Sequence, residues 1–98
     1  MKKSYIYFMT NKNNTTIYIG VTSNLLKRVY QHKTKATKGF TSLYNCDKLV
    51  YFEEFEDIRK AIEREKQLKA GNRKRKEELI QLQNLSWDDL SEGWLFKF

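Results

Sequence analysis

Two tyrosines, an arginine, a histidine and a glutamate are the side chains whose types and spacing could do chemistry together. Tyr7 and Tyr18 fall in two neighbouring apolar runs. Arg28 and His32 stand four apart, so on a helix they project from the same side. A planar, always-charged guanidinium such as Arg28 matches the geometry of phosphate oxygens. Glu65 falls among Ile58, Ala61, Ile62 and Leu68, which form an apolar stripe at spacings of three and four. A carboxylate on such a stripe either sits at its edge and reaches water, or has a partner such as a metal ion or an arginine.

These residues need elements to position them. Tyr5 to Thr10 is rich in aromatic and branched side chains and reads as a strand, as does Thr15 to Val21, with Asn11 to Asn14 a turn between them. A four-residue loop predicts an antiparallel hairpin. With Thr10 and Thr15 closing it, Tyr7 is expected opposite Tyr18, Ile6 opposite Ile19, and Phe8 opposite Ile17. The tyrosines then share one face, and Gly20, opposite Tyr5, leaves open space beside them. Asn24 and its neighbours can cap a helix from Leu25 to Thr34, with Leu25, Leu26, Val29 and Tyr30 as its apolar stripe. Thr34 to Asp47 is expected to be a long loop anchored by Phe40 and Tyr44.

A third strand is expected at Lys48 to Phe55. Asp57 can cap a helix running to Ala70, with Gly71 and Asn72 as terminators. Arg73 to Asn84 reads as a last helix, and Ser86 to Asp89 as a capping box before a short final turn or helix. The fold class is α+β: a small three-stranded antiparallel sheet flanked by helices, in the order β-β-α-β-α-α. A chain of 98 residues makes one domain, 1–98, with its core at about 4–82 and a C-terminal extension at 83–98.

Composition narrows the function. Lys and Arg total 19 against 12 Asp and Glu, a formal charge of +7, which favours phosphate-rich polymers or anionic surfaces. Lys27, Lys33, Lys35 and Lys38 form one basic cluster, and Arg73, Lys74, Arg75 and Lys76 another. No apolar run is long enough to span a membrane, and the start lacks a signal-peptide core. A single cysteine, Cys46, excludes an internal disulfide framework and suits a reducing compartment, so the expected location is the cytoplasm. One histidine and one cysteine argue against a zinc site.

Each residue also has a plain structural reading. The tyrosines can be an ordinary cross-strand pair, Arg28 a surface ion-pair partner, and His32 a structural residue. Cys46 then packs a loop against the core, and Trp87 and Trp94 cover it.

Taken together, Tyr5-Ile6-Tyr7, Tyr18-Ile19-Gly20, Arg28, His32 and Glu65 within Arg64-Glu65-Lys66 resemble the GIY-YIG nuclease superfamily. Ten residues separate Tyr7 from Tyr18, a spacing like the family's. Tyr5 replaces the leading glycine of the first motif. The likeness is nearest to the short stand-alone branch, similar to the N-terminal domain of excision-repair nucleases. Asn72 is too close to Glu65, and Asn84 rather far, to match the asparagine that catalytic members often carry.

The resemblance implies a metal-dependent endonuclease hydrolysing nucleic-acid phosphodiesters, DNA above all. Tyr7, Tyr18, Arg28, His32 and Glu65 would be its catalytic residues, Glu65 holding one divalent ion, Mg2+ or Mn2+. The two basic clusters would grip the phosphate backbone, and a protein partner would supply specificity. The alternatives are a non-catalytic nucleic-acid-binding module, or an accessory protein of the same fold that recruits a partner through its acidic, tryptophan-bearing tail.

Overall fold

The computed structural model describes residues 2–97; the outermost ends of the expected domain, Met1 and Phe98, lie outside the described residues. Three strands, β1 (Ser4–Thr10), β2 (Ile17–Thr22) and β3 (Lys48–Phe55), form one antiparallel sheet in the order β2-β1-β3. Four helices follow the chain as α1 (Leu25–Lys33), α2 (Phe40–Leu43), α3 (Ile58–Ala70) and α4 (Arg73–Gln83). Apart from the single turn of α2, this is the expected order of elements.

Side chains alternate across the sheet, so it carries two cores. Ile6, Phe8, Ile19, Val50 and Tyr51 meet Ala61 and Leu68 of α3 and Ile80 of α4 on one face. Tyr7, Met9 and Leu49 meet Leu25 and Val29 of α1 and Cys46 on the other, where Leu90, Trp94 and Phe96 close over them. The result is a sheet between two layers. Cys46 is fully buried, and burial pushes its thiol pKa up, as does nearby Asp47.

The hairpin register differs from the expected one by two residues. Tyr7 lies opposite Gly20, Met9 opposite Tyr18, and Phe8 opposite Ile19. The cause is Asn11, whose side-chain Oδ1 accepts from the backbone N–H groups of Thr15 and Thr16 at 2.9 and 3.1 Å. Those two residues are taken from the strand, β2 starts at Ile17, and Asn14 enters the left-handed region at φ 57. Because side chains alternate with period two, a slip of two leaves every face unchanged. The two tyrosines therefore remain together, as diagonal neighbours. The expected open space beside them is not there: Gly20 lies directly beneath the Tyr7 ring.

Helix boundaries follow their caps. The side chains of Asn24, Asp57 and Asn72 accept from Lys27, Arg59 and Arg75 backbone N–H groups at the starts of α1, α3 and α4. The stripe of α1 is Leu25, Val29 and His32, whereas Tyr30 turns outward against Phe96. On α3, Ala61 and Leu68 are buried but Ile58 and Ile62 are only partly covered, so the helix buries a narrower face than the expected stripe.

Within 34–47, the expected anchors Phe40 and Tyr44 are instead about half exposed, and Thr41 and Cys46 are the buried residues. After α4, Asn84 Nδ2 donates to the carbonyls of Val50 and Asp88, and Leu90 N–H donates to Leu49 O. The tail thus covers the outer edge of β3. Ser86 to Asp89 does not form the expected box; Asp89 Oδ1 instead accepts from the Ser91 N–H at the short final turn, 90–93, that follows as expected, and Trp87 sits at φ 55.

Candidate active site

Tyr7 is central to its strand and fully buried. Gly20 makes room for its ring: a Cβ there would lie 2.4 Å from the Tyr7 hydroxyl oxygen. From that position the hydroxyl reaches Nε2 of His32 at 2.9 Å, and Nδ1 of His32 lies 2.9 Å from Oγ1 of Thr41. The Tyr18 ring stands beside both, 6.2 Å from Tyr7 and 5.6 Å from His32 between centroids. His32 occupies the last inward position of α1 because seven residues bring it back beneath Leu25, on the stripe that faces the sheet.

The electrostatics follow from burial and from Arg28, one turn earlier on α1. Burial pushes the Tyr7 phenol well above the ordinary phenol range, the neighbouring Tyr18 adds to the rise, and the Arg28 charge opposes it. Burial, with the Arg28 charge acting in the same direction, also lowers the His32 pKa to about 4. Near neutral pH this yields a neutral phenol bonded to a neutral imidazole beside a fixed positive charge.

A depressed histidine pKa has a stability consequence. The native state binds fewer protons than the unfolded chain between about pH 4 and 6.5. The stability His32 contributes is therefore complete above pH 6.5 and lost as pH falls toward 4. The loss is on the order of 3 kcal/mol. Urea unfolding across this range should show that decline in the wild type and a weaker one in His32→Leu. Parallel slopes would rule out the depressed pKa.

Glu65 approaches from the other side of the sheet. Its helix, α3, packs against β1 and β2, and the side chain is 16 % exposed, with Lys69 Nζ 3.5 Å from its carboxylate. The expectation left open a watery edge or a partner; the structure gives it a largely covered position with Lys69 alongside. Because β2 is an edge strand, side chains from both layers can meet around it. A cleft of about 310 Å3 does bridge that edge, lined by Ile17, Tyr18, Ile19, Phe40, Lys69 and Lys76. Arg28 opens instead onto a larger groove of about 1020 Å3 with Thr22, Ser23 and Lys60.

The model of the GIY-YIG catalytic domain matches residues 3–78 of this chain. The chain belongs to the GIY-YIG family. It is 38% identical over 77 residues to a UPF0213 protein of Clostridium perfringens, covering 79% of this chain and 82% of that one. A UPF0213 protein of Staphylococcus saprophyticus is 31% identical over 80 residues, covering 82% and 96%. The solution NMR structure of a UPF0213 protein from Bacillus halodurans superposes with a TM-score of 0.57 over 93% of this chain and 97% of that one. At 22% identity, it speaks for the fold.

In this GIY-YIG domain, Tyr7, Tyr18, Arg28 and His32 are gathered on one sheet face, while Glu65 lies on the helix across it. Thr41 is the partner that the sequence reading missed. A threonine in a polar loop carries no periodic signal, and only the folding of 34–47 back over α1 brings it to His32.

The expected phosphate-gripping cations separate into two kinds. Lys33 is tied to the Asp89 carboxylate and, at 3.0 Å, to the carbonyl of Asp47, so it anchors the tail. Burial alone would raise the Asp89 pKa, but hydrogen bonds from Lys33 and Ser91 hold it below the usual carboxylate range. Arg73 binds Glu77 and the carbonyls of Thr15 and Asn14, pinning the hairpin turn to α4. Lys35 reaches Asn45 at 2.6 Å and Lys76 reaches the Gly71 carbonyl at 3.0 Å; both bonds are to neutral acceptors and leave the charge uncancelled. Lys27, Lys38, Lys74 and Arg75 are exposed. Asn84, far from Glu65 in sequence, serves the tail and the β3 edge.

No helix of the described residues is long and apolar enough to cross a membrane.

Proposed function

We propose that this chain is a divalent-metal-dependent endonuclease that hydrolyses phosphodiester bonds in nucleic acid, DNA above all. The observation that carries the reading is the buried Tyr7–His32 hydrogen bond beside Arg28, made by residues of the family's motifs. Arg28 provides a fixed cation for the equatorial oxygens as negative charge builds on them during attack.

Tyr7 is sealed from solvent, so the attacking water's proton reaches it through the half-buried Tyr18 hydroxyl, which lines the open cleft. Burial makes a free tyrosinate costly, so the Tyr7 phenol accepts that relayed proton as it passes its own to His32 Nε2. For this, His32 needs its proton on Nδ1, donated to Thr41 Oγ1, which leaves Nε2 as the acceptor. Burial is the larger cause of the low His32 pKa, and a phosphate arriving at Arg28 offsets the smaller, electrostatic part and so raises the imidazole's basicity. Tyr18, beside Tyr7 and lining the open cleft, orients the water.

Among the described residues there is no group of three His, Cys, Asp or Glu side chains able to cage a metal. A lone Glu65 carboxylate still fits Mg2+ or Mn2+, which commonly take one or two protein carboxylates and complete their shell with substrate phosphate and water. When bound, such an ion supplies charge neutralisation at the leaving oxygen. The exposed Lys27, Lys38, Lys74 and Arg75 would add salt-dependent grip on the backbone.

The test is cleavage of end-labelled single-stranded, duplex and branched DNA with Mg2+ or Mn2+. Cutting should disappear with chelator and in Glu65→Ala, with both proteins folded by circular dichroism. Salt-sensitive binding without cutting, unchanged by chelator, would replace this reading with a non-catalytic binding module.

A further inference from the structure

Resting on that reading of the site, we infer that Phe40 and Tyr44 form a stacking shelf for an unpaired base next to the scissile phosphate, which directs the protein to single-stranded nucleic acid. Aromatic rings run outward in a row from the buried phenol. Tyr7 and Tyr18 lie 6.2 Å apart between centroids, Tyr18 and Phe40 stack at 6.0 Å and 29°, and Phe40 and Tyr44 follow at 4.6 Å.

Exposure rises along the row. Tyr7 is sealed, Tyr18 is half-buried, and Phe40 and Tyr44 are 47 % and 48 % exposed. Two large rings held side by side and half open to water lose much of the benefit of burial. A flat π surface beside the site suits a nucleobase, since every base has a face to stack.

The surroundings fit a polyanion. Phe40 shares the β2-edge cleft with Tyr18, Lys69 and Lys76, and Lys76 spends its hydrogen bond on a neutral carbonyl. At about 310 Å3, the cleft is at the small end of ligand sites, room for a single unit rather than a duplex. A base inside a duplex is already stacked on its neighbours and cannot reach such a shelf; an unpaired one can.

The test is fluorescence anisotropy of a fluorescein-labelled oligothymidylate and of a labelled hairpin duplex, both in chelator so that binding is read without cutting. Wild type, Phe40→Ala, Phe40→Leu, Tyr44→Ala and Phe40→Trp are compared after a check of fold. Wild type should favour the single strand. Both Phe40→Ala and Phe40→Leu should weaken that binding roughly tenfold or more, with Tyr44→Ala in the same direction and Phe40→Trp retaining it. Duplex affinity should stay constant throughout.

If Phe40→Leu binds like the wild type, the ring provides apolar packing rather than stacking, and the shelf is overturned. Single-strand affinity unchanged in all variants overturns it too and turns attention to a protein as the occupant of these rings. In both cases the nuclease reading survives. Absence of any nucleic-acid binding by the wild type overturns the nuclease reading, and the shelf with it.

Discussion

Arg28→Ala is expected to cut the cleavage rate by about 10²- to 10³-fold while leaving the fold in place. The side chain is only partly buried and projects from α1 beside the Tyr7–His32 pair, and neither core includes it. On the proposed mechanism it supplies a positive charge near the reacting phosphate, and that matters most when the phosphate gains charge. Losing one such donor costs about 3–4 kcal/mol of transition-state stabilisation. Arg28→Lys should recover only part of the rate, because an ammonium keeps the charge but lacks the planar fork. Single-turnover rates, with unfolding midpoints as the control, separate the effect from misfolding. Cleavage by Arg28→Ala at the wild-type rate would remove Arg28 from the mechanism.

Gly20→Ala should damage stability and activity together. The added methyl would sit 2.4 Å from the Tyr7 oxygen, 2.5 Å from Cζ and 2.8 Å from Cε1, well inside van der Waals contact. Tyr7 has nowhere to retreat, since its ring is fully buried between Tyr18 and His32. Overpacking of this kind costs about 1–3 kcal/mol. The ring must also tilt, breaking the 2.9 Å bond to His32, so the proton route fails and cleavage falls by about 10²-fold or more. Urea midpoints give the first effect and single-turnover kinetics the second. A stable, fully active Gly20→Ala would mean that Tyr7 can do without its present position. Conversely, a stability loss with full activity would show that the Tyr7–His32 bond is structural alone.

Both predictions depend on detail that the sequence reveals unevenly. Elements with a repeating pattern and clear caps were legible: β3 spans Lys48–Phe55 as read, and α3 ends at Ala70 before Gly71. The hairpin register was not, because the side chain of Asn11, and not the count of turn residues, sets where β2 begins. The two-residue slip kept Tyr7 and Tyr18 on one face but moved Gly20 from beneath Tyr5 to beneath Tyr7. A glycine read as open space proved to be filled by a ring.

The loop before β3 misled for a different reason. Phe40 and Tyr44 are its two aromatic residues, and side-chain size and hydrophobicity assign them to the core. The helical turn Phe40–Leu43 instead directs Thr41 inward to His32 and leaves the rings outside. Burial there is decided by a specific hydrogen bond, which hydropathy does not record. Likewise the tail beyond α4 reads as an extension, yet the Leu90 backbone N–H and the side-chain amides of Asn84 and Gln83 satisfy the outer edge of β3, a pairing between residues far apart in the chain that no local pattern signals.

By itself, the sequence determined the fold class and the family, and it singled out Tyr7, Tyr18, Arg28, His32 and Glu65 as candidates, because periodicity and motif spacing are local properties of a chain. Tertiary structure alone decided that His32 is held between Tyr7 and Thr41, that Lys33 and Arg73 serve as anchors, and that Glu65 approaches from the far side of an edge strand. These are relations between residues far apart in the chain, and they arise only when packing places two cores on opposite faces of a three-stranded sheet.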